Sequence, residues 1–246
     1  MNETLKTALF EQCSKNQLTE AEISEYSLDL VLDKYPYAPY IPDNWNGYLA
    51  IAEAQQLRRS STGNSKYVDD LLSGNTEQLI FRLNNEKFNK GKVGITPWDD
   101  GFIKIAIKSC FPEININQVA VANAIPWSLN KLNTKQDKFL IERSKKYWKE
   151  ILELLKGDLK CVVRTGEYAR NILAFKELKD INIEKVFSIR SASQLERVSS
   201  LFNWEDLLKR YPEVKNAMLN SGYSIDDENN ANLIFYAAHA VSTINK

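Results

Sequence analysis

Val119-Ala120-Val121-Ala122-Asn123-Ala124-Ile125-Pro126-Trp127 is the stretch on which the fold turns. Alternating Val and Ala are small enough to be covered on both faces of a sheet, as a central parallel strand must be. The apolar run stops at Asn123, and Pro126 cannot continue a hydrogen-bonded ladder. The strand is therefore expected to end there. In an open α/β sheet ligands sit beyond the carboxyl ends of the strands. An amide donates and accepts at once, so Asn123 in that position is equipped to read the edge of a nucleobase. The other reading is a turn-forming Asn that bonds its own backbone.

Outward from this strand the pattern alternates. Tyr48-Leu49-Ala50-Ile51-Ala52 reads as the first strand and runs into Glu53-Ala54-Gln55-Gln56. A helix over 102–110 precedes the Val/Ala strand. Another over 134–155 follows it, with Phe139, Leu140, Tyr147, Trp148, Ile151, Leu152 and Leu155 at three-and-four spacing and Gly157 as a stop. Leu159 to Val163 is the third strand, 166–178 a helix, and Val186-Phe187-Ser188-Ile189 the fourth strand. Strands that alternate with helices in this way imply an α/β fold. The expected architecture is a three-layer α/β/α sandwich around a mainly parallel four-stranded sheet, with extra N- and C-terminal helices.

Residues 3–34 read as two helices, the second opened by the capping-box pair Thr19 and Glu22. Tyr35-Pro36-Tyr37-Ala38-Pro39-Tyr40-Ile41-Pro42 then makes an extended tether. The expected division is an N-terminal helical appendage, 1–43, and an α/β/α domain, 44–246. Residues 57–93 hold a polar loop and a helix near 76–84, and three helical stretches around 203–209, 211–220 and 229–243 close the chain.

Composition narrows the function. Lys+Arg and Asp+Glu are both 32, so any nucleic-acid surface must be a local basic patch and not a global charge. Cys13, Cys110 and Cys161 are odd in number and widely spaced, which argues against a disulfide framework and predicts a reducing cytoplasm. Met1-Asn2-Glu3-Thr4 has no basic region leading into an apolar core, and no apolar run approaches the roughly 20 residues of a membrane helix. No signal peptide and no membrane partner are expected. Neither a G-x-G-x-x-G after the first strand nor a Walker A loop is present.

Taken together, the strand ends resemble the uracil-DNA glycosylase superfamily. Ala52-Glu53-Ala54-Gln55 resembles its G-E-A-P-G motif with the Glu kept, and Pro97-Trp98 its P-F stacking step. Ala122-Asn123-Ala124 resembles the strand end that reads the base. Lys160-Cys161-Val162-Val163-Arg164-Thr165-Gly166 resembles K-V-I-V-A-L-G, and Arg190-Ser191-Ala192-Ser193 stands where H-P-S falls, with the His missing. The resemblance covers about residues 45–200. Three cysteines cannot supply the four ligands of the iron–sulfur branch, so no iron–sulfur cluster and no other cofactor is expected.

The resemblance implies a monofunctional DNA N-glycosylase, a hydrolase that flips a base out of DNA and leaves an abasic site. Glu53 would stabilise the oxocarbenium-like sugar or activate water. Trp98 would stack on the base, Asn123 read its edge, and Arg190 neutralise the departing base in place of the His. Ser191 and Ser193 would bond phosphate, with Arg58, Arg59, Lys131 and Arg197 as further DNA contacts. Each has a plainer reading: Glu53 as a helix cap, Trp98 as core, Arg190 as a salt-bridge partner. The only His, His239, lies among Leu233, Tyr236 and Ala240 and reads as packed or surface. The lost His and altered first motif point away from uracil and toward a modified pyrimidine, such as a hypermodified cytosine of phage DNA, and an antiviral-defence role. The alternative is an inactive glycosylase-fold protein that binds DNA or a protein partner.

Overall fold

The computed structural model of the chain describes residues 1–56, 69, 72–82, 101–129, 134–174, 178, 183, 185–189 and 202–244. Strands β1 (Tyr48–Gln56), β2 (Ala120–Leu129), β3 (Cys161–Thr165) and β4 (Lys185–Ile189) form a four-stranded sheet in the order β2-β1-β3-β4, and every neighbouring pair is parallel. The described helices are α1 (Glu3–Lys15), α2 (Glu20–Glu25), α3 (Thr76–Ile80), α4 (Phe102–Cys110), α5 (Thr134–Leu155), α6 (Gly166–Ile172), α7 (Trp204–Arg210), α8 (Pro212–Leu219) and α9 (Ala231–Ile244).

The pleat sorts the strand residues onto two faces. Leu49, Ile51 and Val162 meet Leu140, Trp148 and Ile151 of α5 and Ala169 and Ile172 of α6. Ala50, Ala52 and Val163 meet Ile103, Ala106 and Ile107 of α4 and Phe235, Tyr236 and Ala240 of α9. Helices therefore cover both faces, and the expected α/β/α sandwich with a parallel sheet is what the chain forms. On the second face α7, α8 and α9 build a further cluster around Ile105 of α4, with Leu208, Val214, Met218, Leu233 and Ile234.

β2 departs from the sequence reading in two respects. It runs on through Asn123 and Pro126 to Leu129, and it stands at one end of the strand order instead of its centre. Small apolar residues do report burial, and the whole strand is buried. They do not report what covers it. The cover on the outer edge is the Pro-rich segment: Tyr40 bridges Val121 antiparallel, and the Tyr37 N–H donates to the Pro126 carbonyl at 2.9 Å. The expected tether is thus extended but docked. Pro126 fits because the ladder slips around it: from Ala54 to Gln56 on β1 the partner moves from Ile125 to Leu129 on β2.

Several helices are shorter than their periodicity suggests. α2 carries the predicted capping box at Thr19 and Glu22 but ends at Glu25. Ser27 takes a left-handed φ of +49°, and the Leu28 N–H closes back on the Ile23 carbonyl at 3.0 Å. α6 stops at Ile172, before the expected residue 178. α1 lays the fully buried Leu9 and Cys13 into the cluster that holds Leu49 and Ile51, so residues of the 1–43 segment share the core of the sheet. Each such Leu contributes about 2 kcal/mol of burial.

Candidate functional site

β1 is flanked by β2 on one side and β3 on the other, so the chain reverses direction across the sheet at this strand. In open α/β sheets the crevice outside the carboxyl ends at such a reversal is where ligands sit. Glu53 lies near the carboxyl end of β1, and α6 begins directly after β3 beside it. Glu53 Oε1 accepts the backbone N–H of Glu167 at 2.7 Å. Thr165, the N-cap residue of α6, makes no side-chain cap bond. Glu53 supplies the acceptor instead, from a neighbouring strand.

Gly166 makes this approach possible. Its φ is +86°, and a Cβ there would stand 2.1 Å from Glu53 Oε1 and 2.2 Å from Cδ. Only a residue without a side chain lets the carboxylate lie over the first turn of α6. Burial pushes the Glu53 carboxyl pKa up. The N–H groups of Glu167 and Tyr168 pull it down, the charge of Glu167 adds to the rise, and Arg170 opposes it. Burial wins, and the group titrates above the ordinary glutamate range.

Two phenols stand near this carboxylate. The carboxylate of Asp137, in the first turn of α5, acts on the Tyr168 phenol and raises its pKa. Tyr236 is on α9, and its buried hydroxyl and that of Thr165 have no hydrogen-bond partner among the described residues. Burial holds both phenols protonated, and Asp137 and Glu53 reinforce this at Tyr168. A half-buried carboxylate with a raised pKa, held by a backbone donor, has the make-up of a general acid or base.

Asn123 lies elsewhere in the same region. It stands in register with Ala52, one residue before Glu53 on β1. Its side chain is buried, and its Nδ2 donates to the Tyr37 hydroxyl. Tyr37 is itself enclosed: the Arg82 guanidinium lies 3.5 Å from its ring centroid, and the Tyr147 hydroxyl donates to its carbonyl at 2.9 Å. Arg82 Nη2 donates to Ser128 Oγ of β2 at 2.9 Å. Burial pushes the Tyr37 phenol up to about 12. Asn123 is therefore an interior strand residue in a polar network, in place of the expected strand-end amide.

Trp98, Arg190, Ser191, Ser193, Arg58, Arg59, Lys131 and Arg197 lie outside the described residues. Of the expected site only Glu53 and Asn123 are placed, on neighbouring strands and with different partners: Glu167 for Glu53 and Tyr37 for Asn123. Sequence reading passes over Tyr37, Arg82, Asp137 and Tyr168. Asp137 looks like an ordinary helix-start acid and Tyr37 like part of a linker; the one signal was Gly166 directly after a strand. Among the described residues no group of three or more His, Cys, Asp or Glu side chains is placed to hold a metal ion, and no helix is long and apolar enough to cross a membrane. Fold and site together define an open α/β/α protein with a carboxylate near the carboxyl end of the strand at which the sheet order reverses. No protein-family model matches the chain, and no curated protein matches it in sequence.

Proposed function

We propose that this chain is a monofunctional DNA N-glycosylase in which Glu53 assists hydrolysis of the N-glycosidic bond of a flipped-out modified pyrimidine. The observation that carries the reading is the position and state of Glu53. It is a half-buried carboxylate at the carboxyl end of the strand where the sheet reverses, with its pKa raised by burial. An N-glycosidic bond breaks through an oxocarbenium-like sugar, which a carboxylate stabilises directly or through water. Trp98 as the stacking ring and Arg190 as the cation for the departing base enter by resemblance alone. So do Ser191, Ser193, Arg58, Arg59, Lys131 and Arg197 as DNA contacts, while Asn123 as reader of the base edge rests on its amide chemistry and on the resemblance. The DNA partner is reached in the cytoplasm, where Cys13, Cys110 and Cys161 remain free thiols.

The test is incubation with duplex and single-stranded DNAs carrying uracil, hydroxymethylcytosine or glucosylated cytosine, followed by alkali. Strand scission confined to one modified pyrimidine, lost in Glu53→Gln, supports the proposal. Absence of abasic sites in every substrate overturns it.

A second reading has its own observation. Glu53 is already engaged by α6 and Asn123 by Tyr37, which is what a glycosylase-like scaffold that only binds DNA or a partner protein would show. Salt-dependent DNA binding with wild type and Glu53→Gln equally inactive favours this reading.

A further inference from the structure

We infer that Arg164 is a positioning residue for Glu53 and acts through α6, whose two ends these side chains hold from neighbouring strands. The inference deepens the proposed role of Glu53 and rests on it for its functional meaning. At the start of the helix, Glu53 of β1 accepts the Glu167 N–H at 2.7 Å. At its end, Arg164 of β3 donates from Nη1 to the carbonyl of Leu173, the C-cap residue, at 2.5 Å. Its Nη2 donates to Ser188 Oγ of β4 at 2.7 Å, so the guanidinium ties the last turn of α6 to two strands at once. α6 has only seven residues and no side-chain cap of its own. A helix this short does not hold its shape alone. Ala169 and Ile172 pack its middle, while an acid at the amino end and a base at the carboxyl end both match its dipole.

The burial of Arg164 agrees with this role. The residue is only 9% exposed, and among the described residues its Nε has no hydrogen-bond partner and no carboxylate pairs with it. Burial and the like charge of Arg170 both work against its ionised form. A cation so placed costs stability unless something of opposite sign faces it. Among the described residues the carbonyl end of α6 does so. Register sets Arg164 opposite Ile51, two residues before Glu53, so adjacent strands carry the two holding groups. The charges that act on Glu53 are those of Glu167 and Arg170 on α6, and its own charge acts on the phenols of Tyr168 on α6 and Tyr236 on α9. Arg164 is not among them, so its effect on Glu53 travels through the backbone of α6.

The hydrogen bond from Glu167 to Glu53 supplies the readout. An amide that donates to a carboxylate changes its proton shift as that carboxylate titrates, so the Glu167 N–H reports Glu53 directly. The experiment is amide NMR of the full chain across the acid range, with hydrogen exchange measured on the same samples. Glu53→Gln identifies the titration by abolishing it. Arg164→Lys keeps the charge and loses the planar fork that reaches Leu173 and Ser188 together. We expect it to cut the Glu167 titration amplitude by about half and its exchange protection about tenfold, with the sheet amides of Leu49 and Ile51 unchanged. Ser188→Ala removes one anchor of the guanidinium at a half-buried strand position and should act in the same direction with a smaller effect. Glu167 values equal to wild type in Arg164→Lys, or in Ser188→Ala if Arg164→Lys does not fold, overturn the inference. An equal loss of protection at Leu49 and Ile51 overturns it too, because Arg164 would then support the fold in general. No substrate is involved, so failure of the glycosylase reading, seen as absent base excision, is scored separately.

Discussion

Gly166 and Glu53 form a pair in which each explains the other. The glycine holds a left-handed φ of +86°, and the space its missing side chain leaves is filled by the glutamate carboxyl. Gly166→Ala meets both obstacles at once, backbone strain and a collision with Glu53, and should destabilise the protein by about 2–3 kcal/mol in urea denaturation. The pH behaviour follows from the raised Glu53 pKa. Between the unfolded and folded values the native state binds more protons than the unfolded state, so this group's contribution to stability falls as pH rises through that window and is flat above it. Stability measured against pH should therefore decline less steeply in Glu53→Gln than in wild type just above the ordinary glutamate range. Equal slopes would mean that Glu53 is not the group held out of its usual range.

Among the elements, β2 shows how an outer strand is finished. Its open edge is closed by residues 37–40, and Tyr37 joins that cover to the strand through the Asn123 amide. Tyr37→Phe keeps the ring under Arg82 but removes the acceptor from a buried donor, a loss of about 1–3 kcal/mol. The thermal midpoint should fall while the circular dichroism of the native state stays the same. α2 offers the contrast. Its capping box is local, with the Glu22 N–H on Thr19 Oγ1 at 3.2 Å and the Thr19 N–H on Glu22 at 2.8 Å. Thr19→Ala should cost about 1 kcal/mol, measured the same way. The two substitutions differ in legibility: the Thr19 effect is readable from four consecutive residues, and the Tyr37 effect is not.

For the whole molecule, the first 43 residues matter most. Leu9, Cys13, Leu18 and Tyr37 are buried among the sheet and α5, the Trp127 indole donates to the Lys34 carbonyl at 3.0 Å, and Arg143 of α5 pairs with Glu22 at 3.2 Å. A chain of residues 44–246 would expose the β2 edge and an apolar face of α5 together. It should lose cooperative unfolding and aggregate, as judged by calorimetry and gel filtration. A soluble fragment with a sharp transition would show instead that the segment is a separable appendage. What the sequence determined by itself was local: the alternation of strands and helices, the two-sided burial of the Val/Ala strand, the Thr19 cap and a mainly parallel sheet. Those features are carried by periodicity and by neighbours a few residues apart. The partners were decided only in three dimensions. Asn123 finds Tyr37 across 86 residues and Glu53 finds Glu167 across 114, and which group meets which depends on strand order and on the slip around Pro126. Local sequence carries no record of such distances, because a buried polar group requires a partner without specifying where in the chain that partner must come from.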